Sequence, residues 1–181
     1  MLNKKSIKAV FLDRDGVLNK AVVKDGKPYP PVDLGHMEII PGVELAAKQL
    51  RDRGFELIVI TNQPDVARGT TSRNTVETIN QFLQHRLSIA EFRTCYHDSM
   101  DGCSCRKPLP GAIWEAARSR EIDLSQSFMV GDRWRDIQAG VAAGVKTVFI
   151  DYGYDEKQPL SFDFKATSLL DAVPFILGEV G

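Results

Sequence analysis

Short apolar runs alternate along this chain with stretches in which apolar residues recur every three or four positions. The run KAVFL (8–12) ends on Asp13-Arg14-Asp15-Gly16, which predicts a buried strand with carboxylates at its C-terminal end. Residues 17–40 lack a pattern, because Gly26, Pro28, Pro30, Pro31 and Gly35 interrupt any helix or long strand; a loop of that length points to function. After Pro41, Val43, Ala46, Ala47 and Leu50 fall on one helical face, with Gly54 as the C-terminal cap. FELIVI (55–60) is a second buried strand that runs out into Thr61-Asn62-Gln63. Ser72 begins a helix whose core stripe is Val76, Ile79, Leu83 and Leu87. Residues 92–96 predict a third strand, a cysteine-rich loop follows, and Pro110 opens a helix ending near Arg120. FMV (128–130) leads into Gly131-Asp132, a short helix covers 134–143, and 147–150 is another apolar run. Residues 151–165 are poorly patterned and read as a surface excursion.

Such alternation predicts an α/β, Rossmann-like three-layer sandwich: a mainly parallel central sheet with right-handed crossovers, helices on both faces and a ligand crevice at the C-terminal ends of the strands. No repeat, low-complexity tract or linker divides the chain, so residues 1–181 are expected to form one domain. The intervals between motifs leave room for no large inserted cap, only for 17–40 and the cysteine loop.

Composition narrows the function classes. With 43% hydrophobic and 26% charged residues the chain is an ordinary globular protein, not a disordered or fibrous one. Its formal net charge is −1 and its basic residues are scattered, so no nucleic-acid partner is expected. The N-terminal MLNKKSIKAVFLD carries an apolar run too short for a signal peptide or membrane span, which predicts a cytoplasmic protein without a membrane partner. The three cysteines, Cys95, Cys103 and Cys105, are an odd number in one cluster, which argues for reduced thiols and a metal over a disulfide framework.

Asp13 and Asp15 end the first strand, and Gly16 permits a sharp turn after them. One carboxylate can act as a nucleophile toward phosphorus, and its neighbour can pass a proton to the leaving oxygen and later take one from water. An isolated Asp-Gly pair would be an ordinary solvated turn. Here, however, Gly131-Asp132-Arg133-Trp134-Arg135-Asp136 brings further carboxylate to the same sheet edge, and a hard cation such as Mg²⁺ relieves the repulsion. Asp136 reads equally well as a helix cap. Thr61, Asn62 and Lys107 leave strand or loop ends where donors to a phosphoryl group are needed, and Arg106 adds an anion clamp. Cys95, His97, Cys103 and Cys105 form a full tetrahedral ligand set for structural Zn²⁺, unless Cys95 simply packs in the core and His97 lies on the surface.

The ordered series FLDRDGVLN, VITNQ, CRKP and VGDRWRD resembles the four motifs of the haloacid dehalogenase superfamily over most of the chain. That resemblance implies Asp13 as nucleophile, Asp15 as general acid and base, Thr61 and Lys107 as phosphoryl stabilisers, and Mg²⁺ held by Asp13, Asp132 and the backbone carbonyl of Asp15. A zinc-binding loop at 95–105 feeding CRKP, together with Val66-Ala67-Arg68-Gly69, resembles the heptose-bisphosphate phosphatases and, less closely, the histidinol-phosphate phosphatases. It implies a monomeric enzyme that removes the 7-phosphate of a small phosphorylated sugar, with Arg106, Asn62, Gln63 and Arg133 contacting substrate. Pro64-Asp65 stands where that subgroup commonly has Ser-Gly, and Tyr96 replaces a usual Pro. Two rival readings are a nucleic-acid 3′-phosphatase, which would need a basic groove, and a zinc-stabilised binding module, which would fit if a catalytic position were missing.

Overall fold

The computed structural model describes residues 6–179; residues 1–5, the start of the N-terminal segment read above as too short for a leader or span, lie outside it, as do 180–181. In chain order the elements are β1 (Lys8–Leu12), β2 (Val22–Lys24), β3 (Lys27–Tyr29), α1 (Val43–Asp52), β4 (Phe55–Asn62), α2 (Arg73–Leu87) and β5 (Glu91–Cys95). They continue with α3 (Gly111–Arg120), β6 (Phe128–Gly131), α4 (Trp134–Ala143), β7 (Lys146–Ile150), β8 (Phe164–Ala166) and α5 (Leu169–Ile176). Six of the strands form a parallel sheet in the order β5-β4-β1-β6-β7-β8.

The two-residue period of the strands divides the core between two helical layers. Val10, Leu12, Leu57, Val59 and Val130 face α1, α2 and α5, where Leu50, Leu83 and Leu169 are buried. Ala9, Phe11, Ile58, Ile60 and Met129 face α3 and α4, whose smaller Ala116 and Ala139 let the helices approach closely. Truncating a fully buried leucine such as Leu83 to alanine in such a core costs about 2–5 kcal/mol. This is the three-layer α/β sandwich that the alternation predicts. Among the described residues no helix is long and apolar enough to cross a membrane.

Sheet order also locates the crevice. From β1 the chain winds outward through β4 to β5, then returns to β6 and winds the other way through β7 to β8. The strand order therefore reverses between β1 and β6, and their C-terminal ends carry Asp13 and Asp132.

Two short elements escape the hydrophobic pattern. Within 17–40, β2 and β3 pair as an antiparallel hairpin whose turn is Asp25 (φ 49°) and Gly26 (φ 72°). Positive φ at both positions is the hairpin turn that Asp-Gly favours, a signal masked by the prolines that follow. The Asp155 amide donates to the Gly26 carbonyl at 2.8 Å, fastening the hairpin tip to the segment after β7. That segment also closes on the sheet: the Asp163 carboxylate accepts from the Thr147 amide (2.7 Å) and hydroxyl (2.9 Å), and β8 pairs with β7 over three residues.

Candidate active site

The chain leaving β1 coils around one carbonyl, that of Arg14, which accepts from the amides of Val17, Leu18 and Asn19. The coil holds Asp13 and Asp15 at the sheet edge. Asp13 is anchored by its own amide, which donates to the Val130 carbonyl at 3.0 Å, and its Oδ1 accepts from the Arg14 amide at 2.8 Å. Gly16 has φ +88°, and a Cβ there would sit 1.9 Å from Asp132 Oδ2, so only glycine lets the β1 and β6 loops come this close.

Lys107 is 2% exposed, and its ammonium meets three acceptors: Asp13 Oδ1 at 2.9 Å, Asp136 Oδ1 at 2.6 Å and the Ile60 carbonyl at 2.6 Å. Three N–H groups with three oxygens fix the side chain in the floor of the cleft. Burial lowers the lysine's pKa, but the charges of Asp13 and Asp136 outweigh it and leave the value above the ordinary one. Asp136 does double duty: its Oδ2 accepts the Arg133 amide at 2.9 Å as the α4 cap, while its Oδ1 holds Lys107. The cap expected of Asp136 is therefore present, and its other oxygen is spent on Lys107.

Asp13, Asp132 and Asp136 each present an oxygen within 4.8 Å of the others. The oxygens of Asp136 are engaged, whereas neither oxygen of the buried Asp132 makes a well-formed hydrogen bond, the Tyr154 hydroxyl being a weak donor to it. Burial, then the charges of Asp13 and Asp136, drives the Asp132 pKa far above the carboxylate range. Asp13 is pushed up to about 6, first by burial and next by Asp136, against the opposing pull of Lys107. A buried carboxylate without a well-formed hydrogen bond, facing a second carboxylate, is what a hard divalent cation satisfies, so Asp13 and Asp132 fit Mg²⁺.

Strand alternation at the end of β4 sorts the next three residues. Thr61 lines the cleft, whereas Asn62 turns aside and clamps the Lys107 backbone, donating to its carbonyl at 2.9 Å and accepting from its amide at 3.1 Å. Gln63 follows the direction of Thr61 but stays buried, with Nε2 donating to Asp15 Oδ2 (2.9 Å) and Thr61 Oγ1 (3.1 Å). Of the residues expected to touch substrate, Asn62 thus reaches the cleft with its side chain tied to a neighbouring loop, and Gln63 serves the carboxylate beneath it.

Arg106 and Arg133 do line the cleft, joined by Lys27 from the hairpin, Arg68 and Arg135. Arg106 donates to the His97 carbonyl at 3.0 Å, and Arg133 is paired with Glu156. Arg68 grips Asp98 through two bonds, 2.8 and 2.7 Å, which tie the loop after β4 to the cysteine loop. Arg135 sits over the Trp134 ring at 5.0 Å, and burial followed by the like charges of Arg133 and Arg106 lowers its pKa. The cleft mouth is thus a zone of positive charge above an acidic floor.

Beside it, Cys95 Sγ lies 3.7 Å from Cys103 Sγ and 3.6 Å from His97 Nδ1, and Cys105 Sγ lies 3.4 Å from that nitrogen. A tetrahedral Zn²⁺ with ordinary bond lengths separates two sulfurs by about 3.8 Å, and a sulfur and a nitrogen by about 3.6 Å. The four side chains, all within 4.8 Å of one another, have the dimensions such an ion requires.

Comparison with known proteins identifies the family. A HAD-hydrolase-like family model matches residues 104–174. A D-glycero-beta-D-manno-heptose-1,7-bisphosphate 7-phosphatase of Haemophilus ducreyi is 34% identical over 184 residues, covering 93% of this chain and 98% of its own. The chain is a haloacid dehalogenase-superfamily phosphatase. The phosphatase is also 34% identical over 170 residues to the enzyme of that name in Helicobacter pylori, with coverage of 87% and 94%. Its fold superposes with a TM-score of 0.78 on D,D-heptose 1,7-bisphosphate phosphatase from B. bronchiseptica, solved with magnesium and phosphate. That match spans 96% of this chain and 100% of the other at 28% identity. As a member of this family the phosphatase is a phosphoric monoester hydrolase.

Several residues of the phosphatase site are missing from the motif reading. Lys27 comes from β3 and Arg68 from a loop, and only folding reveals their place over the cleft. Arg135 was legible only as one more charge among residues 131–136. Arg14 lies inside the first motif, yet nothing local tells that its guanidinium is buried.

Proposed function

We propose that this phosphatase is Mg²⁺-dependent and removes the 7-phosphate of D-glycero-D-manno-heptose 1,7-bisphosphate through an aspartyl-phosphate on Asp13. The observation that carries the chemistry is the buried Asp132 carboxylate, without a well-formed hydrogen bond, facing Asp13 beside the triply anchored Lys107. Asp13 Oδ2, which takes part in neither the Arg14 nor the Lys107 bond, attacks phosphorus while the bond to the leaving sugar oxygen breaks. Asp15 gives that oxygen its proton. It then takes a proton from water as the water attacks the phosphorus and the Asp13–phosphorus bond breaks, releasing phosphate. The Lys107 ammonium and the Thr61 hydroxyl stabilise charge on the equatorial oxygens. Mg²⁺, held by Asp13, Asp132 and the Asp15 carbonyl, would neutralise further charge on the transferring group.

The positive mouth supports the substrate class. Arg106, Arg133, Arg135 and Lys27 surround the cleft, and a second phosphate on the substrate relieves the crowding of the three guanidinium groups. Histidinol phosphate would bring an ammonium into the same field, so the bisphosphate sugar is favoured. Named relatives act on that sugar. Zn²⁺ on Cys95, His97, Cys103 and Cys105 would brace the loop that delivers Arg106 and Lys107, and its thiolates suit a reducing cytoplasm.

Phosphate release measured over heptose 1,7-bisphosphate, histidinol phosphate and nucleotides tests the substrate. The heptose ester is expected to give the highest kcat/KM, and Asp13→Asn to abolish release with the fold retained. Turnover persisting in Asp13→Asn would refute the mechanism; preference for histidinol phosphate or a nucleotide would refute the substrate.

A further inference from the structure

The mechanism above leaves one large polar group unused. Arg14 is 0% exposed, and a guanidinium is not hidden completely without a strong reason, because its desolvation costs several kcal/mol unless it is paired. Its partner is the adjacent Asp15: Nε donates to Oδ1 at 3.2 Å and Nη2 to Oδ2 at 3.0 Å, a fork on both oxygens. Asn19 Nδ2 adds a bond to Oδ1 at 2.9 Å and Gln63 Nε2 one to Oδ2 at 2.9 Å. Both of those donors are neutral amides with one bond each to the carboxylate, so among the described residues Arg14 supplies the only charged donor and the only two-point grip.

The fork is itself held from behind. Arg14 Nη1 donates to Asn80 Oδ1 at 3.0 Å, and Asn80 Nδ2 donates to Thr94 Oγ1 at 3.1 Å. Asn80 is a buried amide on the otherwise apolar face of α2, and Thr94 lies on β5. A buried asparagine in that stripe forgoes apolar packing, and what it gains here is a fixed arginine. The Arg14 amide meanwhile donates to Asp13 Oδ1, so one residue restrains both carboxylates of the reaction.

We infer that Arg14 is a positioning residue for catalysis, whose fork, anchored through Asn80 and Thr94, places the ionised Asp15 at the cleft; a proton taken by one oxygen displaces an N–H donor there, and the other oxygen, still on the fork, keeps the side chain where it delivers that proton. The inference rests on the reading of Asp15 as acid and base given above. Holding a proton donor against its target matters steeply, since a displacement of about 1 Å can cost about a hundredfold in rate.

Leaving-group dependence distinguishes this role from a merely structural one. An alkyl ester such as β-glycerol phosphate expels an alkoxide and needs the proton; p-nitrophenyl phosphate expels a stable phenolate and needs it little. Because kcat/KM reports events up to phosphoryl transfer, it is measured on both esters for wild type, Asp15→Asn, Arg14→Lys and Asn80→Ala. Asp15→Asn supplies the reference pattern, a loss far larger on the alkyl ester. Arg14→Lys, which keeps the charge and loses the fork, is expected to reproduce it with a loss of about a hundredfold on the alkyl ester and a minor loss on the aryl ester. Asn80→Ala is expected to shift the ratio in the same direction with a smaller amplitude, and it carries the comparison if Arg14→Lys does not fold. The rise in Tm on adding Mg²⁺ is expected to remain in both. Equal losses on the two esters in Arg14→Lys and Asn80→Ala, with the reference pattern present in Asp15→Asn, would overturn the inference alone. Absence of the pattern in Asp15→Asn would overturn the role of Asp15 and the inference with it.

Discussion

Replacing Gly16 with alanine is expected to damage metal binding more than folding. Two costs can be separated. With φ at +88°, any Cβ carries the left-handed penalty of about 1–2 kcal/mol. The second cost falls on Asp132, because the new Cβ would lie 1.9 Å from Oδ2 and 2.5 Å from Cγ, against an ordinary contact of at least 3.4 Å. The carboxylate must therefore retreat by about 1.5 Å, the difference between 3.4 and 1.9 Å. Its oxygens make no well-formed hydrogen bond, the Tyr154 hydroxyl being only a weak donor to them, so the retreat is tolerable for the fold. It is not tolerable for Mg²⁺, whose oxygen ligands sit at about 2.0–2.1 Å with a tolerance of about 0.2 Å. Gly16→Ala should keep a cooperative unfolding transition with a modestly lower Tm, while its Mg²⁺ affinity falls at least about tenfold. Isothermal calorimetry with Mg²⁺ measures the affinity, and phosphate release against Mg²⁺ concentration should show partial recovery at high metal. A variant with lower Tm but wild-type Mg²⁺ affinity would refute the reasoning and remove Asp132 as the ligand.

A further expectation concerns pH. The folded pKa of Asp13 without metal is about 6 against an ordinary 3.8, so this group favours the folded state below 3.8 and that contribution is lost as pH rises through 6. Asp132 acts in the same direction. The Mg²⁺-induced rise in Tm should therefore grow from pH 5 to pH 7.5 and be flattened in Asp13→Asn, as differential scanning calorimetry can measure; an equal rise at both pH values would contradict the assignment. For the cysteine loop, elemental analysis of protein purified without chelator should find about one zinc per chain. Cys103→Ser should lose that zinc, lower the Tm and reduce phosphate release by about tenfold or more, because Arg106 and Lys107 follow Cys105 directly. A zinc-free wild type of full stability would count against the site.

The hydrophobic pattern located the elements that matter most. The helix expected at 134–143 coincides with α4, and the runs at 8–12 and 128–130 are β1 and β6, because strands buried on both faces read as unbroken apolar runs. β8 was not legible, since three residues do not make a period, and the hairpin was obscured by the prolines in and after β3. At the site, Asp13, Asp15, Thr61, Lys107 and Asp132 could be picked out because each follows a strand or lies in a motif. The direction of Gln63 could not, because it depends on where Asp15 arrives from a segment 48 residues away.

By itself the sequence determined which chemical groups would gather at one edge: the apolar period ends each strand where its polar residues begin, and parallel strands bring those ends together. Only the tertiary structure decided how they pair. Lys107 with Asp136, Arg14 with Asn80, and Asp132 left without a well-formed hydrogen bond all result from contacts between distant segments. Such pairings depend on ångström-scale distances across the sheet edge, and no local periodicity encodes those distances.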